Sequence, residues 1–265
     1  MKKSRFLAAA TCAALLAVGI PAAASAAPSV HKGDYTVPKG TTYVGDLRVN
    51  GDVVVGAGAT VSGNLIVTGD VRLNGGSVVT QDVRVTDGTI TIARATVLKD
   101  VRQTGAGGVA IYQGSDVRGA VSEQGDGNLS VSGDVGGSIA EAGAGALNVR
   151  GTVEENAREE GSGNVLILGT VRGRVSEYDG GNVYVDQYVK GRTTAPTGTT
   201  GDVLEHDLGA LIVHGRVNGT ARELDGGGIT VGRTGVVTGN VVESGDGDVL
   251  VVTGAQVGGE VVETP

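Results

Sequence analysis

The stretch Val121–Ser138 reads V-S-E-Q-G-D-G-N-L-S-V-S-G-D-V-G-G-S, and the residues from Ile139 read I-A-E-A-G-A-G-A-L-N-V-R-G-T-V-E-E-N. From Ala157 the chain continues A-R-E-E-G-S-G-N-V-L-I-L-G-T-V-R-G-R. The shared pattern is aliphatic-x-Glu-x-Gly-x-Gly-x-aliphatic-x-Val-x-Gly-x-Val, and it returns every 18 residues. A fixed internal period of this length sets the architecture before any local propensity is weighed.

Working outward, the same phase runs back through Leu47, Leu65, Val83 and Val101, and through Tyr43, Val61, Val79 and Val97. Within each repeat apolar and polar residues alternate, which is the period of strands and not of helices. Val and Ile dominate, as strands prefer. Glycine falls at fixed offsets, where corners are required. Asn-Gly and Asp-Gly pairs do not separate clean strand pairs, so hairpins are excluded as the organising unit. A coil climbing one strand spacing per turn accommodates the pattern, each turn pairing with the turns before and after it. The expectation is an all-β chain: a single-stranded β-solenoid, a right-handed parallel β-helix of about twelve turns over residues 34–265. Leu65, Val67, Val83 and Val85 should point inward and their neighbours outward. An insertion is placed at 193–202, T-T-A-P-T-G-T-T-G-D.

Composition fits this reading. Glycine accounts for 48 of 265 residues, well above the usual ~7%. Met1, Phe6 and Cys12 are the only residues of their types, and there is no Trp. Such a chain builds its core from Val, Leu and Ile and forms no internal disulfide. Residues 1–26 read as a secretory signal peptide: Lys2, Lys3 and Arg5, an apolar run from Phe6 to Ile20, then Ala24-Ser25-Ala26. Residues 27–33 are expected to be a flexible start. The protein is therefore expected to be secreted, extracellular or associated with the cell wall, with no membrane span after cleavage. The formal charge is −8 and becomes −11 without Lys2, Lys3 and Arg5. That argues against nucleic acid and anionic membranes as partners.

The turns L-R-V-N-G-D-V-V-V-G-A-G-A-T-V-S-G-N from Leu47 and L-I-V-T-G-D-V-R-L-N-G-G-S-V-V-T from Leu65 resemble the bactofilins. The resemblance implies a right-handed β-solenoid that polymerises end to end without nucleotide. This chain differs from that family in carrying an export signal and in having about twice the expected number of turns.

From Glu123 onward an acidic column replaces an apolar one. Glu123, Glu141, Glu159, Glu177, Glu205, Glu223, Glu243 and Glu263 hold the phase of Val49, Val67 and Val85, with Gln103 just before them. Carboxylates stacked ~5 Å apart repel by about 0.8 kcal/mol in water and about 3 kcal/mol at an effective dielectric of 20. Eight ionised, buried glutamates are therefore excluded. The column faces solvent at a corner, or is partly protonated, or is neutralised by cations. The solvated corner is the expectation. Glu177, Asp179, Glu205, Asp207, Glu223 and Asp225 fall in three successive turns, and an oxygen cluster of this kind would take Ca²⁺.

Catalytic patterns are absent from the sequence. The histidines are His31, His206 and His214, and no nucleophile–base spacing or phosphate loop accompanies them. The chain reads as a non-enzyme. Tyr178, Tyr184 and Tyr188 lie close in sequence and offer a contact for cell-wall glycan. The function expected is a secreted structural or scaffolding protein, self-associating end to end. The alternative is a module that binds divalent cations or glycans through the acidic column.

Overall fold

The computed structural model describes residues 30–187 and 197–265. It is a parallel β-solenoid of about thirteen turns, with no helix among the described residues. Each turn contributes one strand to each of three sheets, of 13, 12 and 12 strands. Every pairing is parallel and joins equivalent repeat positions, for example Glu123 with Glu141, Leu129 with Leu147 and Val135 with Val153. The interior is a filled column of Val, Leu and Ile, with Leu65, Val67, Val83 and Val85 all buried as their alternation requires. Among the described residues no helix is long and apolar enough to cross a membrane.

Corner side chains carry the hydrogen-bond ladder where the strands stop. Asp46 Oδ1 accepts the Asn64 backbone N–H at 2.8 Å, and Asp52 Oδ1 accepts that of Asp70 at 2.8 Å. Higher up, Asn164 Oδ1 accepts the Asn182 N–H at 2.9 Å and Asn156 Oδ1 accepts that of Arg174 at 2.9 Å. Short Asn and Asp side chains bond backbone groups readily in this way, which accounts for their recurrence at the bends.

Two boundaries differ from the sequence expectation. The coil begins before Asp34: strand Val30–Lys32 pairs in parallel with Arg48 to Asn50. His31 then meets the Tyr35 ring at 4.3 Å between centroids, and Tyr35 meets Tyr43 edge-on at 6.1 Å. These aromatic residues continue columns that hold Val49, Val53 and Val61 in the next turn, and they close the N-terminal end of the core. The insertion also lies earlier than 193–202. Thr199–Thr200 is already a strand of the third sheet, so the extra residues fall between Asp186 and Gly198. Residues 188–196 lie outside the described residues. Asp186 sits at the base of this segment. Its Oδ1 accepts the Gln187 N–H at 2.6 Å and its Oδ2 accepts the Thr197 N–H at 2.7 Å.

A deletion experiment separates coil from insertion. Removing residues 187–196 shortens a connection and is expected to change stability by about 1 kcal/mol or less. Removing Ile66 alone places Thr68 at an interior position and inverts the facing of the later residues in that strand. That variant should fail to show cooperative thermal unfolding. Equal melting temperatures for the two deletions would contradict this account.

Candidate functional site

The acidic column is not at the surface. Glu123, Glu141, Glu159, Glu177, Glu205, Glu223 and Glu243 all point into the core and are buried, and only Glu263, in the last turn, is exposed. The expected solvated corner is thus replaced by an interior ladder. Its cause is a change in corner length. In the early turns the bend from Val49 reaches the second sheet at Val53, and that from Val67 does so at Val71. In the later turns the corresponding bend runs from Glu123 to Leu129 and is two residues longer. The next corner shortens in compensation, from Val55–Val61 to Val131–Val135, which keeps the 18-residue period there, whereas Val231–Val237 and Val251–Val257 stay long and the last turns repeat at 20 residues.

The longer bend turns a glycine N–H inward, out of reach of the neighbouring turn. The glutamate four residues earlier accepts it. Gly145 donates to Glu141 Oε1 at 3.1 Å and Gly163 to Glu159 Oε1 at 3.0 Å. Gly181 donates to Glu177 at 2.6 Å, Gly209 to Glu205 at 3.0 Å and Gly227 to Glu223 at 2.9 Å. A buried amide left without an acceptor costs roughly 1–3 kcal/mol, and this geometry removes that cost. Gln103 begins the series in the first turn with the long bend. There carbonyls face inward instead, and its Nε2 donates to Ala106 O at 2.9 Å and Gly88 O at 3.2 Å.

The second oxygens, Oε2 of Glu141, Glu159, Glu177, Glu205 and Glu223, are buried and meet no donor from the rest of the protein. Each faces its stacked neighbours, so shared protons are what satisfy them. The electrostatics agree. Burial first, and then the hydrogen bond to Glu141, push the Glu123 carboxyl up to about 8 and the Glu159 carboxyl up to about 9. Burial likewise raises Glu141, while hydrogen bonds from both neighbours hold it down against that rise. Of the sequence alternatives, partial protonation is the one this geometry accommodates.

The six residues grouped as a Ca²⁺ patch separate into two populations. Glu177, Glu205 and Glu223 are ladder members in the core. Asp179, Asp207 and Asp225 stand at the outer corner with φ of 91°, 98° and 96°, and their backbones leave the strand direction there. The structure brings Asp207 and Asp225 together with His206, one ligand atom from each lying within 4.8 Å of the others. His206 Nδ1 lies 3.3 Å from Asp207 Oδ2, and His206 Nε2 lies 3.6 Å from Asp225 Oδ2. Asp207 Oδ2 also accepts the Asp179 N–H at 2.9 Å. Tyr178 stacks beside His206 at 5.8 Å between centroids, and the Arg158 guanidinium lies 4.8 Å from the Tyr178 ring centre.

Of the three tyrosines offered as a glycan contact, two are described. Tyr178 lies on the first sheet, Tyr184 on the second, and Tyr188 is outside the described residues. Sequence reasoning also missed the aromatic end-plug of His31, Tyr35 and Tyr43. Its signal was the placement of tyrosines at core phase only in the first turn.

Comparison with protein-family models, with curated proteins and with solved structures returns no match. What stands is the class defined by the fold: a parallel β-solenoid repeat protein whose upper half encloses a carboxyl ladder.

Proposed function

We propose that this protein is a structural rod of the cell surface or extracellular matrix that self-associates through its C-terminal end, in the manner of a bactofilin-like solenoid exported from the cell. The observation that carries this reading is the contrast between the two ends. At the C-terminal end the last strands of the three sheets, Val249–Val251, Gln256–Val257 and Val261–Thr264, have no further neighbour among the described residues. Val251 and Val261 hold core positions, yet they are 40% and 49% exposed, whereas Val231 and Val241 one turn earlier are 0% exposed. Fully burying a valine is worth on the order of 1.5–3 kcal/mol, and an unpaired strand edge adds donors and acceptors for a second chain. At the N-terminal end the His31, Tyr35 and Tyr43 rings close the core. Glu260 and Glu263 oppose stacking of two C-terminal turns, and salt relieves that opposition.

Sedimentation velocity across a concentration series is the test. Association should strengthen in high salt, and the double variant Val251→Lys, Val261→Lys should remain monomeric. A wild-type protein that is strictly monomeric at high concentration, in low and high salt, would reject self-association.

A further inference from the structure

We propose that His206, Asp207 and Asp225 form a binding site for a divalent transition-metal ion of the Zn²⁺ or Co²⁺ type, on the outer corner between two successive turns. The site is separate from the rod ends and does not depend on self-association.

The donor set points to this class of ion. One imidazole nitrogen with two carboxylates suits borderline metals, whereas Ca²⁺ takes 6–8 oxygen ligands. Around a tetrahedral ion with bonds near 2 Å, ligand atoms stand ~3.3 Å apart. One donor atom from each of His206, Asp207 and Asp225 lies within 4.8 Å of the others, so modest side-chain rotation closes the three to that spacing. Three protein ligands leave a position open to water, as in zinc sites that bind an exchangeable group.

The local backbone explains how neighbours in sequence come to share one ion. Consecutive residues of a strand point to opposite faces. His206 follows the inward Glu205 and so points out. Asp207 would turn inward, but its φ of 98° ends the strand direction and keeps its carboxylate outside. Asp225 pairs with Asp207 one turn on and repeats the same backbone state, at φ 96°. His206 Nδ1 is shielded from solvent and faces Asp207 Oδ2, so Nε2, on the Asp225 side, is the nitrogen the ring offers to an ion. The Asp179 N–H fixes Asp207 Oδ2, and Tyr178 flanks the ring, so the ligands are oriented by a second layer of contacts.

Untagged full-length protein, stripped with a chelator, should be titrated with Co²⁺ and followed by visible absorption. Zn²⁺ competition then gives the affinity. The expected result is one equivalent of Co²⁺ with ligand-field bands of a low-coordinate site, displaced by Zn²⁺ and unaffected by millimolar Ca²⁺. His206→Ala and Asp225→Asn should each weaken binding by about tenfold or more, with circular dichroism unchanged, while His31→Ala and His214→Ala bind as the wild type does. Absence of saturable Co²⁺ binding, retention of wild-type affinity in both His206→Ala and Asp225→Asn, or stoichiometric displacement by Ca²⁺ would each overturn the assignment.

Discussion

The melting temperature of this protein should be highest in mild acid and should fall steadily as the solution is made alkaline, by on the order of 20 °C or more between pH 5 and pH 9. Most acidic proteins lose stability on acidification, because carboxylates that are paired in the fold must be protonated. Here the linkage has the opposite sign. The Glu123 and Glu159 carboxyls are raised to about 8 and about 9 in the folded chain, against ~4.3 when unfolded. Between those values the folded state holds protons that the unfolded state has released. The ladder's contribution is therefore complete below pH ~4.3 and is lost as pH rises through 8 and 9. Each such carboxyl weakens folding by roughly 1.4 kcal/mol per pH unit inside its window. Desolvation is the leading cause in both, followed by the bond to Glu141. Asp126 adds a further upward push on Glu123.

The variant Glu123→Gln, Glu141→Gln, Glu159→Gln isolates the effect. Glutamine keeps an oxygen for the glycine N–H and adds amide donors for the stacked neighbour, as in amide ladders of stacked strands. Gln103 already occupies this position one turn earlier. The triple variant should flatten the pH dependence across its three turns and be more stable than the wild type at pH 9. A wild-type melting temperature that rises from pH 5 to pH 9 would show that these carboxyls are ionised within the core and that the shared-proton account is wrong.

Much of this architecture was legible in the sequence because the solenoid writes its geometry as a period. Leu65, Leu47 and Val83 share a phase, and parallel in-register pairing is the arrangement that stacks identical phases. The Glu column was visible as a column, but its side of the wall was not. Charge suggested the outside, and the decisive fact was the length of one bend. The sequence holds that signal in a joint change. The corner to the next aliphatic has already gained two residues at Gln103, with a glycine four residues on, and where Glu enters the following corner loses two. A glycine with that spacing marks an inward N–H, and an inward N–H calls for an acceptor in the core. The outer site was half legible. Asp207 and Asp225 share a phase, but His206 joins them only because Asp207 leaves the strand conformation, and that is invisible to a period-two reading. The aromatic closure of the first turn was obscured for a similar reason. A strand of three residues beside a presumed leader carries little pattern, and only its pairing with Arg48 to Asn50 shows it to be part of the coil.

The glycine column next to the ladder should be among the least substitutable parts of the molecule. Gly145, Gly163, Gly181, Gly209, Gly227 and Gly247 stack one above another, each lying against the glycine carbonyl of the turn before. At Gly181 a Cβ would overlap the Gly163 carbonyl oxygen and come within 3.0 Å of Glu177 Oε1. Neither neighbour can yield cheaply. The carbonyl is main chain in a ladder, and the carboxyl oxygen is held by the N–H of Gly181 itself at 2.6 Å. Gly181→Ala must therefore push two turns apart and strand a buried amide, penalties of about 1–3 kcal/mol each. The expected loss is roughly 3 kcal/mol or more, equivalent to at least about 6 °C in melting temperature for a chain of this size. Gly75 provides the control. Around it a Cβ would meet only the Arg94 side chain at 3.8 and 3.9 Å, ordinary contact, and its backbone lies outside the left-handed region. Gly75→Ala should be neutral or stabilising by up to about 1 kcal/mol, through the lower entropy of the unfolded chain. Thermal denaturation of the two variants side by side decides the matter. Equal tolerance of both would mean that the turns are not packed carbonyl to glycine at this corner, and the inward N–H that the Glu ladder serves would lose its basis.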